Sequence, residues 1–400
     1  MNMQTHIADA IEEVDVLVSK QASELSEMLH EHRLEMFPPN AQKGLRPFQL
    51  SEVAQYIGVT SGYLKNLSLE GKGPLPSVTP SGRRSYTAEQ IMEMRHFLDK
   101  HGRGTSYVPH RKGSEHLQIL AVVNFKGGSA KTTTSAHLAQ HLALTGHRVL
   151  AIDLDPQASL SALHGFQPEV DQNESLYEAL RYDEDRKPLS ALVKKTNFPG
   201  LDIVPANLEL QEYEYDTPLA LSKNDGSMGR IFFGRLDDAL ADVADNYDVV
   251  VIDCPPQLGY LTMTAISSST GILITVHPQM LDVMSMCQFL LMMGEVMGTL
   301  KRAGANMRLD WLRYLVTRYE PTDGPQSQMV AFMRAIFKHH VLVNEMLKST
   351  AISDAGITKQ TLYEVERTQF TRSTYDRAME ALHRVNGEIT DLIHKSWGRR

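Results

Sequence analysis

Cysteine is nearly absent from this chain. Two occur in 400 residues, Cys254 and Cys287, with no C-x-x-C spacing. That argues against a disulfide framework, a structural zinc and an iron–sulfur cluster held within one chain, and both thiols are expected to be buried small hydrophobes. Long apolar runs are missing too: none reaches the ~18 to 20 uninterrupted residues of a membrane span. The first twenty residues carry acids where a signal peptide would carry a basic flank and an apolar block, so a cytoplasmic protein is expected. No short internal repeat or low-complexity tract is visible. The hydrophobic content of 42% is ordinary for a globular protein. The length exceeds one compact core, which implies two or three domains.

The net charge of −8 is unevenly spread. Residues 1–40 hold 8 acids and 2 bases, residues 41–113 hold 11 bases and 5 acids, and the remaining 287 hold 35 acids and 27 bases. A small basic block between acidic ones is an electrostatic footprint suited to nucleic acid. Within residues 1–40, Ile7, Ile11, Val14, Val18, Ala22, Leu25 and Leu29 recur at steps of three and four, one face of a helix that Pro38 and Pro39 would end. So long a helix with so little chain before it must lay this seam on something. That is either its own chain or the same helix of a second subunit.

In FQLSEVAQYIGVTSGYLKNL, Leu50, Val53, Ala54 and Ile57 form an apolar face, Gly58 permits a tight turn, and Thr60 starts a second helix. The next stretch is rich in turn formers and carries Arg83 and Arg84 where the tip of a β-hairpin is expected. This region resembles the winged helix-turn-helix of MerR-type regulators. The resemblance makes Thr60, Ser61, Tyr63, Lys65, Asn66, Arg83 and Arg84 candidates for DNA contact. Residues 101–114 are basic, turn-rich and without periodicity, and read as a linker. The expected division is therefore a helix in 1–40, a winged module in 41–103, a linker in 104–114 and a large domain in 115–400.

From Glu115 onward apolar runs alternate with amphipathic stretches. The runs are LQILAVVNF, RVLAIDLD, LDIVPA, YDVVVIDC, GILITVHP, WLRYLVTRY and HVLVNEM. Their order predicts an α/β fold with a doubly wound, mostly parallel sheet and ligands at the carboxyl ends of its strands. Three features fall at such ends. VVNFKGGSAKTTT offers Gly127 and Gly128 to bend a nest of N–H groups, Lys131 to meet β/γ phosphates and Thr132 to hold Mg²⁺. Asp153 and Asp155 end the next strand, and Asp253 ends a later one, where P-loop enzymes place metal-holding acids.

An ordinary phosphate-binding loop has glycine where this chain has Phe125 and Ala130. KGGSAKTTT instead resembles the deviant Walker A motif of the family that includes MinD, nitrogenase iron protein and the ParA partition ATPases. The resemblance implies a nucleotide cradle of Lys126, Gly127, Gly128, Ser129, Ala130, Lys131, Thr132 and Thr133. It further implies a metal shell of Thr132, Asp153 and Asp253, and Asp155 as the residue that orients water. Lys126 would act in trans, reaching across a homodimer to the partner's nucleotide. Thr317 and Arg318, after a strand, fall where members hold the adenine base.

Within that family, reductases of the nitrogenase type need cluster cysteines that are not here. Residues 375–400 space Met379, Leu382, Val385, Ile389, Leu392 and Ile393 among charges of both signs, as in a helix packed on the sheet rather than a membrane-binding tail. The whole chain resembles the long ParA of low-copy plasmids. That resemblance implies slow, dimer-dependent hydrolysis of ATP with Mg²⁺, a ParB-type centromere-binding partner, operator and bulk DNA as ligands, no membrane, and a cytoplasmic, nucleoid-associated location. Two alternatives stay open: a repressor for which nucleotide is only a ligand, and a MinD-like ATPase of the membrane surface.

Overall fold

The computed structural model describes residues 14–36, 43–102, 106–166, 174–222, 232–305 and 307–399. Helix α1 (Val14–Met36) belongs to a unit of its own. Its described seam residues are open: Val14, Val18 and Leu25 are 71, 57 and 60% exposed. Ile7, Ile11 and the side chain of Leu29 lie outside the described residues.

From Gly44 the chain forms one compact unit. It begins with a short strand β1 (Phe48–Gln49) and two helices, α2 (Leu50–Ile57) and α3 (Ser61–Leu69). The backbone N–H of Gln49 donates to Glu52 at 2.8 Å, which closes a capping box at the start of α2. The Thr60 hydroxyl accepts the Tyr63 N–H at 3.2 Å and starts α3. A ribbon of β2 (Ser77–Val78) and β3 (Arg84–Tyr86) follows, and β3 also pairs with β1. Helix α4 (Ala88–His101) closes this module.

The large domain is built on a seven-stranded sheet among the described residues, β4 (Gln118–Val123), β5 (Val149–Asp153), β6 (Lys194–Lys195), β7 (Leu201–Val204), β8 (Val249–Asp253), β9 (Gly271–Val276) and β10 (Trp311–Val316). Their spatial order is β10-β9-β4-β8-β5-β7-β6, parallel throughout except for β6 at the edge. The expected α/β architecture is present, and six of the seven predicted runs are strands. The seventh, HVLVNEM, is not. It runs beside β10 without forming a ladder: Val341 makes a single bridge to Tyr314, and the Leu342 and Met346 N–H groups donate to the Tyr314 and Val316 carbonyls, both at 2.9 Å. The Glu388 carboxylate takes the Val343 and Asn344 N–H groups at 2.8 and 3.0 Å, so these cannot join a ladder, and Val343 is 73% exposed.

Helix α5 (Lys131–Leu144) follows β4 and has 12 of its 14 residues buried. Four more helices matter below: α6 (Glu212–Ser222), α7 (Tyr260–Ser268), α8 (Met280–Arg302) and α9 (Arg372–Ser396). The predicted C-terminal helix is α9, with Met379, Leu382, Val385, Ile389 and Ile393 buried in the same core as α5, β4 and β5. Helix α8 is long and apolar enough to cross a membrane by length and composition. It turns Met286, Phe289 and Met293 into the core and leaves Cys287 exposed. Cys254 is buried as expected; Cys287 is not, because it sits on the opposite side of α8 from those three anchors.

The N-terminal module and the large domain share one hydrophobic core, in which Val53, Tyr56, Leu64 and Leu98 pack with Leu138, Leu142, Tyr363 and Leu382. The buried Arg95 of α4 joins them. Its guanidinium donates to the carbonyls of Tyr56 at the end of α2, Leu144 at the end of α5 (3.4 Å) and Tyr107 (2.9 Å). Cations suit helix C-termini, where carbonyls lack partners. Burial draws this guanidinium down to about 10, which still leaves it charged at neutral pH. The connecting stretch 106–114 has neither helix nor strand and is tied down as well. The Arg111 N–H donates to Asp248 (2.9 Å), and Arg399 donates to the carbonyls of Pro109 and His110 (2.9 and 2.7 Å).

Removing Arg95 leaves three carbonyls short of a donor at the junction. Arg95→Ala should destabilise the fold by about 3 kcal/mol, read as a lower urea midpoint. Arg83→Ala, at an exposed site, should leave the midpoint in place. Equal midpoints for both variants would deny Arg95 the joining role.

Candidate functional site

The loop between β4 and α5 lies at the carboxyl end of the sheet, where β4 is flanked by β8 and β9. Its backbone is held from several sides. The Asn124 carboxamide accepts the Lys126 N–H at 2.9 Å and donates to the Thr275 carbonyl at 2.6 Å. The Thr317 hydroxyl donates to the Ser129 carbonyl at 2.9 Å, Arg318 donates to the Gly128 carbonyl at 3.1 Å, and the Thr275 hydroxyl donates to the Ser129 hydroxyl at 3.0 Å. Gly128 takes φ +76°, and Ala130, the N-cap of α5, takes φ +65°. The loop therefore keeps a left-handed turn where ordinary phosphate loops have glycine, at the strain of about 1 kcal/mol that a Cβ brings there. With its carbonyls engaged and its N–H groups at a helix N-terminus, such a loop suits an anion.

The two loop lysines go different ways. Lys131 is buried, and its ammonium donates to the Lys126 carbonyl at 3.3 Å. Burial draws it below its ordinary range, and nearby Asp253 opposes that shift. Lys126 is turned outward to Asp282 on the first turn of α8, with Nζ 2.5 Å from Oδ1. Nothing in the sequence pattern singled out Asp282.

Asp153 and Asp253 are Cα partners on adjacent strands, and both are fully buried. Asp153 accepts the Ser161 N–H and hydroxyl at 2.8 and 2.7 Å, and Asp253 accepts the Ser135 hydroxyl at 3.0 Å. Burial raises both carboxyls, Asp153 to about 8 with the charge of Asp253 adding to the shift. Asp253 Oδ2 is buried with no hydrogen-bond partner. Thr132 stands beside this carboxylate. Two facing acids, one with an orphaned oxygen, next to a hydroxyl and a phosphate-type loop form a donor set that fits a hard divalent cation. Asp155, less buried, accepts the Gln157 N–H at 3.0 Å beyond the end of β5.

The loop after Asp253 is positioned by another residue that sequence reasoning missed. Glu214 of α6 accepts the Tyr260 and Leu261 N–H groups at 2.8 and 2.9 Å and so caps α7 from a different element. A side chain at Gly259 would run into that carboxylate, which is why the approach needs glycine. No spacing links residue 214 to 259, so sequence carried no signal for it.

On the N-terminal module, Thr60, Ser61, Tyr63, Lys65 and Asn66 are exposed along α3 and its cap, and Arg83 is exposed at the ribbon turn. Arg84 departs from the expected tip position. It begins β3, and its guanidinium donates to the Ser68 hydroxyl and the Gly82 carbonyl, both at 3.4 Å. It therefore lies against α3.

The paired carboxyls generate a pH signature. A carboxyl raised in the folded state contributes stability fully below its unfolded value of roughly 4 and loses it as pH rises through its folded value. Metal-free protein should lose stability across the window from there to about 8. Asp153→Asn should flatten the slope. Thermal melts in a chelator on either side of that window check this, and an unchanged slope in the variant would remove the pair as its source.

Residues 117–304 match the family model of an AAA domain. The chain is 64% identical to the "Putative replication protein A" of Sinorhizobium fredii over 96% of its own length and 95% of that protein. It is 31% identical to the chromosome partitioning protein ParA of Caulobacter vibrioides, over 60% of this chain and 84% of that one. A solved partition protein superposes over 96% of this chain and 98% of its own with a TM-score of 0.61 at 16% identity, a likeness of fold. Cobyrinic acid a,c-diamide synthase from Mycobacterium smegmatis, solved with bound ADP and magnesium, matches 60% of this chain and 94% of its own with a TM-score of 0.50 at 27% identity. With the deviant loop, the two strand-end acids and the parallel sheet in place, the chain belongs to the ParA-type partition ATPases of the MinD/ParA P-loop superfamily.

Proposed function

We propose that the protein is a slow, dimer-dependent ATPase that partitions low-copy plasmid DNA with a ParB-type centromere-binding protein, and that its N-terminal module is a winged helix-turn-helix that binds operator DNA to repress its own operon. One observation carries the ATPase reading: Lys131 is buried inside the loop while Lys126 is turned out of it toward Asp282. A second lysine facing away from its own phosphate cradle suits a site completed by another copy of the chain.

The nucleotide is ATP or ADP, with Mg²⁺. The N–H groups from Gly127 to Thr133 and the Lys131 ammonium cradle the β and γ phosphates. Thr132, Asp153 and Asp253 hold the metal, directly or through water, and the bound ion supplies positive charge to the phosphate oxygens. Asp155, beyond the end of β5, orients the attacking water. Thr317 and Arg318 serve the base side from the positions in which they brace the loop. Turnover is slow because one chain alone leaves the developing charge uncompensated until Lys126 of a second copy arrives. The exposed α3 residues, Arg83 and Arg84 contact operator DNA, and Arg84 also ties the ribbon to α3 through the Ser68 hydroxyl. Bulk DNA binding in the ATP state places the protein at the nucleoid.

Lys131→Ala should abolish nucleotide binding. Lys126→Ala should keep ADP affinity but lose ATP-dependent association and turnover, and Asp155→Ala should bind ATP without hydrolysing it. Calorimetry with ADP and phosphate release with and without DNA and the ParB-type partner separate the three. Equal loss of ADP affinity in the two lysine variants would sink the trans role, and no turnover under any condition would favour a repressor for which nucleotide is a ligand.

The exposed apolar seam of α1 supports pairing with the same helix of a second copy, independent of nucleotide. The protein should sediment as a dimer without nucleotide, and Val18→Asp with Leu25→Asp should give a monomer that still binds ADP. A monomeric unaltered protein at micromolar concentration would refute the pairing.

A further inference from the structure

The contact that turns Lys126 outward is built rather than incidental. Asp282 is 15% exposed and Lys126 40%, so the acid is the fixed partner and the lysine the mobile one. Asp282 lies in the first turn of α8, where the helix dipole favours a carboxylate. Its N–H donates to the Gln279 carbonyl at 3.0 Å. The Lys126 backbone is anchored at both its N–H, on Asn124, and its carbonyl, by Lys131. Only the four-carbon stem is free to change partners. The second basic group near Asp282 is His277, with Nδ1 3.7 Å from Oδ2. His277 also faces Arg318, Lys126 and Glu320, and burial holds its ring below the ordinary imidazole range. At neutral pH the ring is uncharged, and the ammonium of Lys126 is the full positive charge paired with Asp282.

We propose that Asp282 is a positioning residue that clasps Lys126 on its own protomer, so that nucleotide-dependent pairing must first open this contact and Asp282 sets the nucleotide level at which pairing occurs. The proposal rests on the trans role of Lys126. The competing phosphates of a partner's nucleotide carry more negative charge than one carboxylate, so the exchange runs toward the partner once ATP is bound there. Before that, the clasp keeps a long cation from wandering into its own cradle or onto unrelated anions. A dimer opens two clasps. For partly exposed pairs, their loss together should shift the pairing equilibrium roughly 10-fold.

The exposed Cys287, five residues along α8 from Asp282, allows the test in the full chain. Copies labelled there with donor or acceptor dye are mixed, and energy transfer is followed as a non-hydrolysable ATP analogue with Mg²⁺ is added. Because two nucleotides enter each pairing, Asp282→Asn should reach its half-maximal change at roughly one third of the analogue concentration that the unaltered protein needs. Asp282→Glu should restore most of the original threshold. Lys126→Ala should show no analogue-dependent change, with or without Asp282→Asn, while ADP binding confirms that each variant is folded. An Asp282→Asn threshold equal to or above that of the unaltered protein overturns the clasp and leaves the trans lysine standing. A Lys126→Ala protein that pairs like the unaltered one overturns both.

Discussion

Helix α5 is buried along nearly its whole length, and that burial constrains both of its ends. Its N-terminus carries the left-handed Ala130 and the phosphate-type loop; its C-terminus, about 21 Å away at 1.5 Å per residue, offers the Leu144 carbonyl to Arg95. The same guanidinium donates to the Tyr56 carbonyl near the end of α2. The phosphate-type loop and the junction with the N-terminal module therefore sit at the two ends of one buried helix.

The site at the near end holds opposing charges that burial makes costly. Two carboxyls face each other across β5 and β8, and the buried Lys131 feels the charge of Asp253. Hydroxyls of Ser135 and Ser161 relieve part of the cost, and one oxygen of Asp253 stays without a partner. Such an arrangement is strained toward a cation in the acid pair and an anion over the loop. Glu214, remote in sequence, and Asn124, tied to Thr275, keep the surrounding backbone from relaxing instead.

Much of this was legible from residue order. The apolar runs before Asp153 and Asp253, and the glycine pair before Lys131, point to strand ends and a loop because periodicity and local turn chemistry are short-range properties. HVLVNEM has the same apolar content yet forms no strand, since Glu388 of α9 captures its N–H groups. The placement of Arg84 beside α3 and the exposure of Cys287 differ from expectation for a related reason. Which side of a ribbon or a helix faces the core depends on what packs there, and sequence spacing alone does not say.

What the sequence by itself determined is the chemistry: a deviant phosphate loop, acids at strand ends, a parallel sheet and a basic module ahead of it. Those follow from residue types at fixed local spacing. Tertiary structure alone decided that the module and the large domain share a core, that Thr317 and Arg318 brace the loop carbonyls, and that Lys126 is held by Asp282. Each of these joins residues far apart in the chain. A contact between a loop after β4 and a helix some 150 positions later exists only once the sheet order has brought β9 beside β4.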